Sequence, residues 1–159
     1  MKKYKLLLYC FSIVIPAALF ISAGGSSTST EGCFSGAQSR IRNDIFNLIN
    51  NERQSRGYTL LSCDPTLSNI AQAHAEDMYR RNYFSHVSPD GKTHNDRISE
   101  GGSPFTYVGE NIAMGQNSGR AVVNTWMNSP PHRENILREE FTTMGIGAYG
   151  KYYVLLLAK

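Results

Sequence analysis

The sequence predicts an α+β domain, or a three-layer α/β/α domain, and three observations support this fold class. Apolar residues recur at helical spacing within residues 40–82, and again after residue 118. Residues 144–149 instead alternate with a period of two, and residues 152–158 are β-branched, aromatic and apolar. Because a strand that is apolar on both faces is covered on both sides, we expect the final strand to be central.

Two amphipathic helices are predicted at the start of the domain. The first runs from Arg40 to Arg56, and Gly57 is the expected stop signal. The second has Asp64 as its N-cap and Pro65 at its first helical position, and it is expected to end near residue 82. Each helix carries apolar residues on one face, so each is expected to pack against the sheet or another helix.

The middle of the chain is predicted to contain loops and one short strand. The chain becomes loop-like after Phe84, with a turn at residues 88–91 and a second break at residues 100–104. Residues 107–114 are expected to form the strand, although two glycines weaken its pattern.

A third helix precedes the C-terminal hairpin. Ser118 or Asn117 can cap it, and Pro130-Pro131 must end or sharply bend it. A further short helical turn is expected around residues 136–137, and residues 150–151 are the turn of the hairpin.

The N-terminal segment, residues 1–23, is typical of an export signal. Three lysines in the first five positions precede an apolar run from residue 6 to residue 23. A retained membrane anchor is the alternative, and it would be the only membrane contact expected. Either way the domain is secreted or displayed at the cell surface. Residues 24–38 are rich in Ser, Thr and Gly and are predicted to be a linker, so the folded domain is expected over residues 39–159.

The charge balance argues against a nucleic-acid ligand. The net charge of +3 comes from 16 basic and 13 acidic residues. Three of the basic residues lie in the export segment, so the remaining chain is neutral and has no overall basic field.

The cysteines change their meaning once export is assumed. Cys10 lies in the apolar run, so Cys33 and Cys63 remain as a pair in an oxidising compartment. We predict a disulfide between them, which would stabilise the fold by about 3 kcal/mol through closure of a loop of about 30 residues. The alternative is two free thiols.

Three residues lie in settings that a plain core does not require. His86 and His132 follow predicted helices and are expected in loops, and Glu110 lies in the predicted middle strand. Taken singly, each has an ordinary structural explanation. His74 is expected to be a core histidine, and His94 an ordinary hydrogen-bonding or packing residue.

Seven motifs in order resemble the CAP superfamily, also called the SCP-like extracellular domain, in its short bacterial branch. That superfamily includes cysteine-rich secretory proteins, insect venom antigen 5 and plant pathogenesis-related proteins. The motifs are residues 50–53, 67–71, 74–78 and 84–86, Gly109-Glu110-Asn111-Ile112-Ala113, residues 126–137, and Gly145-Ile146-Gly147. The resemblance implies a three-layer α/β/α sandwich with a small mixed, mainly antiparallel central sheet.

The resemblance also implies an open cleft in which two histidines and two acids hold a divalent cation, often zinc. Carried over by motif, His86, Glu110 and His132 occupy three of these places. The fourth acid is replaced by Ser129 in this sequence. Glu134 or Asp90 could substitute for it, or water could complete the zinc coordination.

Three functions are compatible with the sequence. The resemblance favours a binding or interaction module for a lipid, sterol, peptide or cell-envelope ligand. The alternative is an extracellular hydrolase, in which His86 or His132 is the base and Glu110 orients it. Its nucleophile would be Ser85, Ser88 or Ser129, or else a metal-bound water. The third is a structural envelope protein without a ligand.

Overall fold

The computed structural model describes residues 33, 34, 36 and 38–159. The predicted export segment and most of the predicted linker lie outside the described residues. No helix in the described part of the chain is long and apolar enough to cross a membrane.

The described chain forms five helices and four strands, which confirms the predicted fold class. In chain order they are α1 (Ser39–Gln54), β1 (Ser62–Cys63), α2 (Pro65–Arg80), α3 (His94–Glu100), β2 (Val108–Met114), α4 (Gly119–Met127), α5 (Pro130–Leu137), β3 (Thr143–Tyr149) and β4 (Tyr152–Ala158).

The four strands form one mixed sheet in the order β1-β3-β4-β2. Strands β3 and β4 form the predicted hairpin, and β4 also pairs antiparallel with β2. Only the two-residue β1 is parallel to its neighbour β3. The final strand β4 is therefore central, as its uninterrupted apolar sequence predicts.

The sequence signals at the helix ends are confirmed. The Asp64 carboxylate accepts a hydrogen bond from the backbone N–H of Leu67 at 2.7 Å, so it caps α2. The Ser118 hydroxyl caps α4 in the same way through Ala121 at 3.2 Å. Gly57 follows α1 with φ of +80°, a conformation that glycine adopts without strain.

Two expectations are corrected. Residues 94–100 form the helix α3 instead of a loop, because Thr93 and Asp96 cap its N-terminus reciprocally. Pro130 does not only end a helix: α4 ends at Met127, and Pro130 is the first residue of α5. His132 therefore lies in the first turn of α5, and not in a loop.

The two faces of the sheet are covered by different helices. The apolar residues of α1, α4 and α5 form one core cluster with one sheet face, and those of α2 and α3 form a second cluster with the other. Gly145 and Gly147 let α2 approach β3 very closely, because a Cβ on either would lie within 2.5 Å of the α2 backbone. The result is the three-layer arrangement expected from the resemblance.

The predicted disulfide between Cys33 and Cys63 is present. Phe34 follows it, is buried, and packs edge-on against Phe46 of α1 at 6.1 Å between ring centroids. Cys33 and Phe34, which fall within the predicted linker, are thus packed onto the domain.

Candidate functional site

Glu110 lies at the centre of the candidate site. It is in β2 on the same sheet face as Ile112, which packs in the α2 cluster, and its side chain is only 1% exposed. One carboxylate oxygen lies 2.8 Å from Nδ1 of His86, and the other accepts a hydrogen bond from Nη2 of Arg97 at 2.7 Å. A strand, a helix and a loop therefore meet at one buried carboxylate.

Arg97 connects the loop that carries His86 to the strand that carries Glu110. Its Nη1 donates to the Lys92 carbonyl at 3.0 Å, and its Nη2 donates to the His86 carbonyl at 3.1 Å. The side chain is 12% exposed, so the ion pair with Glu110 is largely shielded from water. We infer that Arg97 holds both members of the His86–Glu110 pair in place.

The environment keeps Glu110 ionised. Burial alone would raise the pKa of its carboxyl, but the hydrogen bond from His86 and the charge of Arg97 outweigh burial and lower the pKa below its ordinary value. His86 itself is 48% exposed in its side chain. When Nδ1 of His86 donates to Glu110, its Nε2 is left available to a ligand.

His132 lies near His86, in the first turn of α5. The Asn111 side chain donates to the His132 carbonyl at 2.9 Å and accepts from Asn135 at 3.0 Å, which connects α5 to β2. Burial lowers the pKa of His132, and the charge of the nearby His86 lowers it further. Its Nδ1 is buried and has no hydrogen-bond partner among the described residues.

The other two histidines also lie close to this site. His74 is buried and its Nε2 contacts the Ser85 carbonyl at 3.2 Å, so it is a core histidine as predicted. Burial lowers the pKa of His74 and of His94, and both rings interact electrostatically with Glu110 and Arg97. Three of the histidines, His74, His86 and His94, thus interact with Glu110, and His132 interacts with His86.

The structure does not bring the remaining candidates into this group. Ser129 is the N-cap residue of α5, but its hydroxyl makes no capping hydrogen bond and none to a histidine within residues 38–159. Glu134 pairs with Arg138 at 3.2 Å. Asp90 pairs with Arg81 at 3.0 Å, which lowers the pKa of Asp90 to about 2.

A separate cleft of about 650 Å³ lies between α2 and residues 88–101. Arg97 and His74 contribute to its lining, but His86, Glu110 and His132 do not. The polar site described above is therefore not the floor of this cleft, although Arg97 belongs to both.

The donor chemistry of the site fits a divalent cation. Imidazole nitrogens and carboxylates are ordinary zinc ligands, and metal-bound histidines usually donate their second ring N–H to a carboxylate. Both oxygens of Glu110 are engaged by His86 and Arg97, so the geometry favours Glu110 as this outer partner. Within the described chain, no group of three or more His, Cys, Asp or Glu side chains is arranged to hold a metal.

Sequence reasoning missed Arg97 and the position of His94. Both belong to α3, where a loop was expected. The available signal was Thr93 followed three residues later by Asp96, the spacing of a reciprocal cap at a helix start. That helix would have put residues 94 and 97 on one face.

Comparisons with known proteins agree with the resemblance. Residues 46–155 match the sequence profile described as "CAP: Cysteine-rich secretory protein family". The chain is 39% identical over 125 residues to the uncharacterized protein YkwD of Bacillus subtilis, covering 79% of this chain and 49% of that protein. The chain therefore spans about half the length of this relative.

Two solved structures have a similar fold. One is an extracellular protein containing an SCP domain from Bacillus anthracis, with a TM-score of 0.74 and 38% identity over 76% of this chain and 40% of that one. The other is an outer surface protein of Borrelia burgdorferi, with a TM-score of 0.72 and 24% identity, covering 77% of this chain and 94% of that one. At that identity the second likeness concerns the fold alone.

Proposed function

The chain belongs to the cysteine-rich secretory protein (CAP) family, and from this we propose that it is an extracellular binding module with a divalent-cation site at His86, Glu110 and His132. The family's extracellular members, such as the SCP-domain protein of Bacillus anthracis, support the location. Its ligand would be a lipid, sterol, peptide or cell-envelope component.

One observation carries the cation site. Nδ1 of His86 is bound to Glu110, and Nδ1 of the second histidine, His132, is buried without a hydrogen-bond partner among the described residues. A buried imidazole nitrogen without a partner costs free energy, so it needs a ligand or a water to explain it. In this arrangement His86 and His132 would bind the cation, and Glu110 would orient His86.

A bound zinc ion would supply a Lewis acid that attracts an oxygen of the ligand. The chain's own residues prepare the site for it. The low pKa of His132 keeps its imidazole neutral near pH 7, the form that binds metals. Arg97 engages the second oxygen of Glu110, so Glu110 would act on the cation through His86 and not as a ligand itself.

Zinc titration of the full chain by calorimetry tests this proposal. His86→Ala and His132→Ala should each weaken zinc binding at least about tenfold, because each removes a ligand. Glu110→Gln should weaken it by about 10- to 100-fold, the usual effect of removing an outer partner.

Two matched variants serve as controls. Asp90→Asn and Glu134→Gln each remove an acid that is paired with an arginine elsewhere, and both should bind zinc like the wild type. Thermal unfolding of every variant separates loss of the site from loss of the fold. Unchanged zinc affinity in both histidine variants would refute the cation site.

A hydrolase remains the alternative, because a histidine oriented by a buried carboxylate is also a base and its orienting partner. Of its predicted nucleophiles, Ser129 makes no hydrogen bond to His86 or His132 in the described chain, and the hydroxyls of Ser85 and Ser88 bond to backbone groups. Ser129→Ala therefore distinguishes the two functions. An ester- or peptide-cleaving activity that this variant abolishes would favour the hydrolase, and unchanged zinc binding would leave the binding module intact.

The structural alternative makes a different prediction for the same variants. If His86 and Glu110 only brace the loop, their variants lower the melting temperature and leave zinc and ligand binding unchanged.

A further inference from the structure

Three neighbouring strands present one row of large side chains at the hairpin end of the sheet. Tyr152 of β4 is paired directly with Tyr149 of β3 and with Met114 of β2. Directly paired residues of antiparallel strands point to the same sheet face, so these three side chains lie side by side. This is the face that α2 covers, since Tyr149 and Tyr152 pack against the α2 cluster.

The last turn of the covering helix reaches this row. Further in along β3, Gly147 lies directly beneath Ala71 of α2, with no room for a Cβ. α2 ends at Arg80, so the row is covered only by Tyr79 and Arg80 of that last turn and by the following Phe84, among the described residues that contact the Tyr149 and Tyr152 rings. We call these five residues, Tyr79, Phe84, Met114, Tyr149 and Tyr152, the aromatic patch.

Three residues of the aromatic patch are exposed to a degree that a core does not explain, while Tyr149 and Tyr152 are partly buried. Tyr79 is 52% exposed, Met114 46% and Phe84 45%. Val87, in the same loop as Phe84, is also 45% exposed. Contiguous exposed apolar side chains of this kind mark surfaces that contact a partner or a membrane.

The rings of the patch do not form a flat platform. Tyr79 is tilted by 66° against Tyr149 and by 84° against Tyr152, and Phe84 is tilted by 57° against Tyr152. Rings tilted against one another in this way offer no flat surface on which a row of sugar rings could stack. They suit the membrane interface, where tyrosines place an apolar ring among the lipids and a hydroxyl in water.

The charges at the two ends of the sheet differ in sign. Lys151 lies in the hairpin turn beside the patch, and the Arg80 guanidinium lies over the Tyr149 ring and pairs with Glu76 at 3.4 Å. At the other end of β3, about 20 Å away for a seven-residue strand, three glutamates line a groove with one arginine, namely Glu134, Glu139, Glu140 and Arg138. A negatively charged surface would therefore attract the patch and repel the opposite end.

We propose that the aromatic patch, with Arg80 and Lys151 at its rim, docks the domain on the surface of an anionic lipid membrane. The apolar and aromatic tips insert among the lipids, and the two cations contact the phosphates. Each basic residue near such a surface adds attraction that salt screens. This docking does not rest on the cation site at His86.

Oxidative footprinting of the full chain on vesicles tests the docking. The chain is placed on phosphatidylglycerol vesicles and, separately, on phosphatidylcholine vesicles. Because the lysines of the N-terminal segment can by themselves attract the chain to the anionic vesicles, the test depends on which residues are protected and not on binding alone. Oxidation by hydroxyl radicals is then measured residue by residue by mass spectrometry. Oxidation of Met114, Phe84 and Tyr79 should fall at least about threefold on the anionic vesicles only, and about 1 M salt should restore it.

Tyr107 is the internal control, since it is 42% exposed and lies at the opposite end of β2. Its oxidation should stay the same on both vesicles. The double variant Arg80→Gln/Lys151→Gln should lose the protection, whereas Arg56→Gln/Arg133→Gln, which removes two exposed arginines elsewhere, should keep it. His86→Ala should also keep it, which separates failure of the docking from failure of the cation site.

Four results would overturn the docking. Equal oxidation on both vesicles would show that the patch does not contact lipid. A fall in the oxidation of Tyr107 as large as that of the patch residues would show that the vesicle shields the whole chain, and not the patch in particular. Protection by a soluble polysaccharide instead of vesicles would make the patch a glycan site. Protection that grows with protein concentration without vesicles would make it a contact between copies of the chain.

Discussion

Two buried arginines, one on each side of the sheet, show how differently the two faces are built. Arg53 of α1 is fully buried and donates to four backbone carbonyls, those of residues 59, 136, 138 and 141, at 2.7 to 3.3 Å. Arg97 of α3 is nearly buried and pairs with a carboxylate, whose other oxygen holds a half-exposed histidine.

This difference separates a structural polar group from a candidate functional one. Arg53 directs its donors to backbone that is fixed by the fold, so it locks loops of the α1 face and offers nothing to a ligand. The group around Arg97 includes exposed His86 and a buried nitrogen of His132 that no described residue pairs, so it has capacity left for a ligand. Burial alone therefore does not identify a site; unused bonding capacity next to solvent does.

The largest expected effect is on the α2 face, where backbone packs on backbone. In Gly147→Ala the added Cβ would lie 2.2 Å from backbone atoms of Ala71, which cannot move without shifting α2. We expect a loss of at least about 4 kcal/mol in the free energy of unfolding, measured by urea denaturation.

Gly101→Ala is the matched control for this variant. Its Cβ would meet Cδ1 and Cγ1 of Ile70 at 2.5 and 2.6 Å, which a change of rotamer can move, and the backbone oxygen of Arg97 only at 3.1 Å. A loss of about 1 kcal/mol or less is expected. Similar losses in both variants would show that the close approach of α2 is not what holds this face.

Arg53→Met should produce the next largest effect. It leaves four backbone carbonyls, two of them in buried hydrogen bonds and two in part-buried ones, without this donor, so we expect the free energy of unfolding to fall by about 3 kcal/mol. Arg56→Met removes an exposed arginine that follows the same helix and should cost less than about 0.5 kcal/mol. Zinc affinity should not change in either; a weaker affinity in Arg53→Met would break the distinction between the two arginines.

Elements with strong local signals were predictable from the sequence. The periodicity of α1 and α2, the Asp64-Pro65 start and the apolar β4 each carry enough information to predict the element. α3 was missed because its seven residues bury only Ile98, which is too little to produce a period. Pro130 marks the end of α4 as predicted, but the start of α5 at the same residue was missed, because a proline that stops one helix is also favoured at the first position of the next.

The site was predictable only as separate residues. His86 and Glu110 are named by their motifs, but their 2.8 Å contact depends on how a loop crosses the β2 face, and no local pattern encodes that. Arg97 was missed together with its helix. Its partner is 13 residues away in sequence, so the pair becomes visible only when α3 is packed against β2.

The smallest expected effect concerns the pH dependence of the Arg97–Glu110 pair. The folded pKa of Glu110 lies below its ordinary value of 4.5. Its ionised form therefore stabilises the fold above that pH, and this contribution is lost as the pH falls through the lower folded pKa. Arg97→Gln removes one cause of the low pKa. We therefore expect it to lower the free energy of unfolding by about 2 kcal/mol at pH 7, and by progressively less below about pH 4.5.

Urea denaturation between pH 7 and pH 3 measures this convergence, with Arg81→Gln as the control. Arg81 lowers the pKa of Asp90 to about 2, yet both side chains are exposed, so their pair should add little stability at any pH. We therefore expect the two variants to differ in how their free energy of unfolding depends on pH. The difference in the free energy of unfolding between wild type and Arg97→Gln should become smaller as the pH falls, because the Glu110 carboxylate of this pair is shielded from water and stabilises the fold only when it is ionised. A constant gap would mean that Arg97 acts through its bonds to the Lys92 and His86 carbonyls, and that Glu110 is held by His86 alone.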